Sequence, residues 1–148
     1  MFKAYEYFKE KEAGKTDGLP VYRVTGLSKM EELVRNARDA VFPCLVVDYG
    51  VDGILDLDDR TRDQGYYTIH LLDSTSETER IFPVLDAMFE RGKMIMRQMS
   101  ADRWAPGEPF GPCYGFKPAT VRYSAIGPVG MLAYGYTFNY EMDRDHEI

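Results

Sequence analysis

This chain has two histidines, the residue type that acts most often as a general base in catalysis. His70 is the only histidine in a segment with regular hydrophobic patterning, because His146 lies among the charged residues at the end of the sequence. A catalytic base needs a nucleophile to activate and a partner that orients it, and the sequence points to neither. We therefore interpret His70 as a solvent-side or cross-strand residue beside Tyr66 and Thr68.

Cysteine chemistry rests on two residues, Cys44 and Cys113. Cys44 falls in an apolar segment, where a free thiol behaves as a small hydrophobic residue. Disulfides are rare in reducing compartments, and two distant cysteines without a neighbouring histidine do not match the ligand spacing of a zinc site. The pattern predicts two reduced, structural thiols.

The most acidic stretch runs from Asp52 to Asp63. The helix–loop–helix calcium motif needs acids at alternate positions, a central glycine and a closing glutamate, and this stretch does not have that order. We interpret residues 50–65 as an acidic loop or irregular hairpin that faces solvent or a partner, and we expect no metal and no other cofactor. Its candidate contact residues are Asp52, Asp56, Asp58, Asp59 and Arg60.

Composition narrows the classes of partner. The net charge of −6 disfavours broad attraction to nucleic acid, because a phosphate-binding surface needs clustered lysine and arginine. No apolar run approaches the roughly 20 residues that span a bilayer, and the first residues lack the apolar core of a signal peptide. We expect an intracellular protein that binds neither a membrane nor a specific nucleic-acid sequence.

The clearest structural signal lies between Met131 and Met142. Large apolar side chains alternate there with small or polar ones, among them Thr137 and Asn139. Because successive side chains of a strand point to opposite faces, this alternation predicts a long strand whose large face packs against the core. We expect a neighbouring subunit at the small face, which carries Thr137 and Asn139, and at any edge that the strand leaves open.

The remaining elements follow from hydrophobic periodicity and from helix-start signals. The longest helix opens at a capping box of Ser76 and Glu79, and we expect its methionines to pack against the sheet. A second capping box, at Ser28 and Glu31, opens a shorter helix. The predicted order is a helix at 2–13, a strand at 21–25, a helix at 28–41, strands at 42–49 and 66–72, a long helix at 76–102, and strands at 120–126 and 131–142.

This order predicts one α+β domain over residues 1–148, with a largely antiparallel sheet packed by one long and one shorter α-helix. Residues 1–20 form its N-terminal helix and loop, and residues 143–148 a charged tail. The segment 104–119 holds four prolines and three glycines, which predicts an ordered loop instead of a helix or strand. Trp104 and Tyr114 are its candidate contact residues.

Several segments of the sequence, taken together, resemble a known class of proteins. A helix that opens with Ser28-Lys29-Met30-Glu31 leads into the apolar strand 42–48, the aromatic strand 66–73 follows, then a long helix around Gly92, and the alternating strand 135–140 closes the domain. Over about 27–142, this order resembles the tail-terminator and tail-completion proteins of long-tailed phages, especially uncharacterised prophage proteins of gut Bacteroidetes.

The resemblance implies a ring, commonly a hexamer, that caps the tail tube and meets the head-side connector. It also implies a location in the bacterial cytoplasm during assembly and then in the virion or phage-like particle. The acidic net charge is compatible with a channel through which DNA passes without sticking.

Three hypotheses follow. The first is a structural phage tail or neck protein, not an enzyme, that self-associates and contacts tail-tube and connector proteins. The alternative is a small ligand-binding or enzymatic domain, with a pocket between the long helix and the 104–119 loop lined by Trp104, Tyr114 and His70. The third is a regulatory adaptor whose 52–63 segment meets a basic partner.

Overall fold

The computed structural model describes residues 3–10, 18–23, 33–34, 39–48, 52–58, 62–104, 106–107, 111–130 and 132–143. Their elements are α1 (Ala4–Glu10), β1 (Val21–Arg23), β2 (Cys44–Val47), β3 (Asp52–Asp56), β4 (Arg62–Ser74), α2 (Ile81–Ala101), β5 (Arg122–Val129) and β6 (Ala133–Asp143). Short 3-10 turns occupy Thr78–Arg80 and Pro118–Thr120. Over these ranges, no helix is long and apolar enough to cross a membrane.

Six strands form one sheet in the order β1-β2-β4-β6-β5, and β3 pairs with β4. The β1–β2 pair is parallel, and the other four pairs are antiparallel. α1 and α2 both pack on one side of this sheet, which we call the helix face. The prediction of a single α+β domain with a largely antiparallel sheet, one long helix and one short helix is confirmed.

β6 lies inside the sheet, bonded to β4 on one side and to β5 on the other. The expectation that this strand leaves an edge open is therefore wrong, since strand order depends on pairing and not on position in the sequence. Its alternation is as predicted: Phe138, Tyr140 and Met142 are buried on the helix face. The opposite face is also buried at Ala133, where a second apolar cluster includes Leu33, Cys44, Val46, Leu72, Val129 and Ala133.

α2 packs against β4 and β6 through a stripe of buried residues at helical spacing. The expectation for its methionines holds for Met88, Met96 and Met99, which are buried, while Met94 is 59% exposed. Gly92 lies directly against the ring of Phe138, so that the helix backbone approaches the sheet where a larger residue would collide.

Local signals placed some boundaries incorrectly. The capping box of Ser76 and Glu79 does not form: a 3-10 turn precedes α2, whose N-cap residue, Arg80, makes no side-chain capping bond. The strands predicted at 120–126 and 131–142 leave residues 127–130 for a turn, but β5 continues to Val129, because it shifts register after Ile126 and pairs again at Val129. The Ser28–Glu31 box and most of the helix predicted to follow it lie outside the described ranges.

Replacing Gly92 with alanine tests the contact between α2 and β6. The new Cβ would overlap three ring carbons of Phe138, and overpacking a core costs about 1–3 kcal/mol. The better helix propensity of alanine offsets about 1 kcal/mol of this cost. We expect chemical denaturation to show a net loss of free energy of unfolding on the order of 1 kcal/mol.

The control is Phe138→Leu, alone and combined with Gly92→Ala. A smaller side chain at position 138 makes room for the added methyl group, so the double variant should lose less stability than the sum of the two single variants. Strictly additive losses would contradict the contact.

Candidate functional site

The acidic stretch forms an antiparallel hairpin, which consists of β3 and the first residues of β4. Three aliphatic side chains stand out between its aspartates: Ile54 is 50% exposed, Leu55 60% and Leu57 68%. Exposed apolar side chains are candidates for a contact surface where they form a contiguous patch. The sequence contains a signal of this exposure. Ile54 and Leu55 are consecutive and point to opposite faces of a strand, so the core on one face can cover only one of them.

The five candidate contact residues of this segment are only partly described. Asp52 and Asp58 are exposed on the hairpin, beside the aliphatic side chains. Asp56 is the last residue of β3. Asp59 and Arg60 lie outside the described ranges. The hairpin thus combines exposed apolar side chains with at least two exposed carboxylates.

The sheet has two long outer strands in the described part of the chain, β3 and β5, each paired on one side. In β5, all residues from Arg122 to Ala125 are exposed. Tyr123 is 57% exposed, although its ring stacks on Phe89 of α2 with centroids 4.9 Å apart. Sequence reasoning did not single out this strand, because its edge position follows from strand order.

Trp104 and Tyr114 are brought together as predicted. Their rings meet edge to face, with centroids 5.5 Å apart and planes at 70°. They line a hollow of ≈ 230 Å³ at the end of α2, together with Arg103, Gly115, Phe116, Lys117 and Asp143. A larger depression of ≈ 390 Å³ lies at the start of α2, near Arg80 and Leu132.

Backbone hydrogen bonds order the loop that carries these aromatic residues. Cys113 N–H donates to the carbonyl of Asp102 at 3.0 Å, and Gly111 N–H donates to that of Arg103 at 3.0 Å. At the other end, Lys117 N–H donates to the carbonyl of Glu141 at 3.1 Å. The described residues 111–117 are therefore fixed to the ends of both α2 and β6, and the walls of the hollow are preformed.

His70 does not line this hollow, which corrects the pocket of the alternative hypothesis. It lies on the sheet face opposite the helices, where its Nδ1 shares a hydrogen bond with Oγ1 of Thr137 at 2.7 Å. Beside this pair, Oγ1 of Thr68 donates to Oδ1 of Asn139 at 2.7 Å. The cross-strand interpretation of His70 is confirmed.

These two hydrogen bonds occupy polar side-chain atoms of Thr137 and Asn139 that a neighbouring subunit would otherwise contact. Thr137 is only 9% exposed, and Asn139 is half-buried. Both use polar side-chain atoms within the sheet. The role of these two residues in contact with a neighbouring subunit stays a prediction.

A partly buried polar group that sequence reasoning missed joins α1 to the end of α2. Tyr7 Oη donates to Oδ2 of Asp102 at 2.6 Å, and Gln98 Nε2 donates to Oδ1 of the same carboxylate at 3.1 Å. Burial raises the pKa of Tyr7, and nearby Cys113 and Asp102 raise it further. Tyr7 and Asp102 are 95 residues apart in sequence, so local pattern carries no signal of this contact.

Tyr140 provides a contrast within the same core. Burial also raises its pKa well above the usual value. Its hydroxyl is fully buried and has no hydrogen-bond partner among the described residues. Its ring nevertheless packs well, since it stacks on Tyr67 with centroids 5.6 Å apart.

The two cysteines are buried and not bonded to each other, as predicted. Cys113 belongs to the core on the helix face and Cys44 to the cluster on the opposite face, so the sheet separates them. Burial raises the pKa of Cys44 to about 12, with Asp73 adding to the effect. This thiol is therefore protonated at neutral pH, and a thiol is a far weaker nucleophile than a thiolate.

The described ranges contain no group of three or more histidine, cysteine, aspartate or glutamate side chains that could hold a metal ion. Comparison of the chain with protein-family models, with curated proteins and with solved structures finds no match. The described residues thus form a hairpin with exposed aliphatic and acidic side chains, an exposed outer strand and a small hollow with aromatic walls.

Two matched hydroxyl deletions test the buried polar group. Tyr7→Phe removes a donor from the Asp102 carboxylate, and we expect it to lower the free energy of unfolding by about 1–2 kcal/mol. Tyr140→Phe removes a buried hydroxyl without a partner, and we expect a neutral effect or a gain of up to about 1 kcal/mol. Urea denaturation measures both, and equal losses in the two variants would contradict the difference.

Proposed function

We propose that this protein is a structural subunit of the tail or neck of a long-tailed phage or related particle, of the tail-terminator or tail-completion type. In this role it assembles with copies of itself into a ring and joins the tail tube to the head-side connector. Its place is the bacterial cytoplasm during assembly and then the particle. It acts by contact and performs no chemical step.

The observation that carries this proposal is the β3–β4 hairpin. It exposes Ile54, Leu55 and Leu57 at half or more of their surface, and it presents the outer edge of β3 beside them. An exposed strand edge with apolar side chains is a template for pairing with another chain. A ring subunit needs such a surface, because each copy must contact its neighbour through two different patches.

The element order gives further support. The strands and the long helix that carry the resemblance to tail-terminator proteins occur in the structure in the expected sequence, from β2 through β4 and α2 to β6. The charge supports it as well: with a net charge of −6, the subunit repels DNA phosphates, as suits a channel that DNA passes through.

Self-association is tested by sedimentation velocity and native mass measurement over a concentration series. We expect a closed ring at high concentration, or on addition of the tail-tube protein of the same phage. Replacing Ile54 and Leu55 with serine removes apolar contact area, and we expect the association constant to fall by about tenfold or more.

The matched control is Phe82→Ser, since Phe82 is 76% exposed but lies on α2. We expect this control to assemble like the unmodified protein. A protein that stays monomeric at high concentration and does not bind the tail-tube protein would overturn the proposal.

A second candidate function is binding of a small ligand in the hollow beside Trp104. The preformed aromatic walls favour it, as do the basic residues Arg103 and Lys117 among its lining. Aromatic faces and cations together fit a small aromatic carboxylate. The volume of ≈ 230 Å³ is below the roughly 300–1,000 Å³ of typical ligand sites, so this function ranks second.

Trp104 is the only tryptophan of the chain, so its fluorescence reports on this hollow alone. On the second hypothesis, benzoate quenches or shifts the emission more than uncharged benzyl alcohol does, and Tyr114→Ala abolishes the response. Phe82→Ala serves as the control and should retain it. No response to benzoate up to its solubility limit would eliminate this candidate.

A further inference from the structure

We propose that the outer edge of β3 in one subunit pairs, in antiparallel fashion, with the outer edge of β5 in the next subunit. The sheets of neighbouring copies then join into one continuous sheet around the ring. This inference rests on the proposed self-assembly and specifies the two patches that meet. The partner at each edge is a second copy of this chain.

The direction of the strands permits this contact. β3, β4, β6 and β5 lie side by side, and each runs antiparallel to its neighbour. β3 and β5 therefore run in opposite directions at opposite sides of the sheet. A second copy that continues the sheet with the same face outward places its β3 antiparallel to β5 of the first. Main-chain N–H and C=O groups of the two edges then pair, as in other strand-addition contacts.

The charges of the two edges determine which edges meet. The hairpin segment 52–63 carries five aspartates and two arginines, a net charge of −3. The segment 115–130, which contains β5, carries Lys117 and Arg122 and no acidic residue, a net charge of +2. Pairing β3 with β3, or β5 with β5, would place like charges together. Pairing β3 with β5 places opposite charges together, which favours a head-to-tail ring over a two-fold dimer.

The side chains also match face by face. Asp52 is registered with Tyr66, and Arg122 with Asn139, so the acid and the base lie on the sheet face opposite the helices. Leu55 and Tyr123 lie on the helix face, where they are 60% and 57% exposed. In the joined sheet, Asp52 and Arg122 share one face with the exposed side chain of Ile54. The exposed side chains of Leu55 and Tyr123 share the other face. Cross-strand pairs of both kinds stabilise a sheet.

Two charge-reversed double variants test the pairing. The hairpin variant is Asp52→Lys/Asp58→Lys, and the edge variant is Lys117→Glu/Arg122→Glu. In each variant alone, both edges carry the same sign, and we expect self-association to weaken by about tenfold or more. An equimolar mixture restores opposite signs at every contact, so mixed rings with an even number of subunits should form. Native mass measurement identifies the alternating composition.

Each variant is first checked for a cooperative thermal transition. If a double variant does not fold, the changes Asp52→Asn/Asp58→Asn or Lys117→Gln/Arg122→Gln take its place. Each should weaken self-association, because the segment 52–63 then keeps a net charge of −1 and the segment 115–130 a net charge of zero. Higher salt should weaken the unmodified ring as well, because exposed charges are screened.

The outcomes separate this inference from the proposed function. If the unmodified protein forms rings and both variants form them equally well, the edge pairing is overturned while self-assembly stands. The same holds if the mixture of the two variants does not assemble. A protein that stops at a two-fold dimer overturns the head-to-tail contact. A strictly monomeric protein that ignores the tail-tube protein overturns both. Loss in each variant and recovery in the mixture supports the pairing.

Discussion

The ladder between β4 and β6 is the constraint on which the rest of the structure depends. Eleven residue pairs, from Gln64–Asp143 to Ser74–Ala133, hold these two strands together. Every other strand except β1 attaches to one of them. Because side chains alternate across a strand, this one ladder also assigns residues to faces: Tyr67 and Tyr140 stack under the helices, while His70 and Thr137 pair on the other side.

Several polar contacts join segments that are far apart in the sequence. Tyr7 and Asp102 are joined above the sheet by a bond between α1 and the end of α2. The loop that follows is pinned to β6 through Lys117 and Glu141. Titratable groups in these places hold distant segments together, and burial keeps the tyrosines and Cys44 in their protonated forms. Both β3 and β5, at the two sides of the sheet, carry exposed side chains in the part of the chain that the structure describes.

Those sides differ in a way that suits directional assembly. The β3 hairpin is acidic and carries exposed aliphatic side chains, whereas β5 is basic and carries an exposed tyrosine. A single strand pair buries less area than the roughly 1,200–2,000 Å² of a stable interface. In the proposed contact, side chains on both faces of the two strands therefore have to add to the main-chain contacts, as the placement of Leu55 and Tyr123 allows.

Sequence alone determined the local elements and the class of fold. Alternation marked β4 and β6, helical spacing marked α2, and prolines with glycines marked the loop at 104–119, because these signals depend on residues close together in the chain. Tertiary structure alone decided strand order, and with it that β6 is central while β3 and β5 lie at the sides. It also decided that Thr137 bonds to His70, that Trp104 and Tyr114 form a hollow without His70, and that Tyr7 meets Asp102. These features depend on contacts between segments far apart in sequence, whose free energy comes from pairing and burial that no local pattern records.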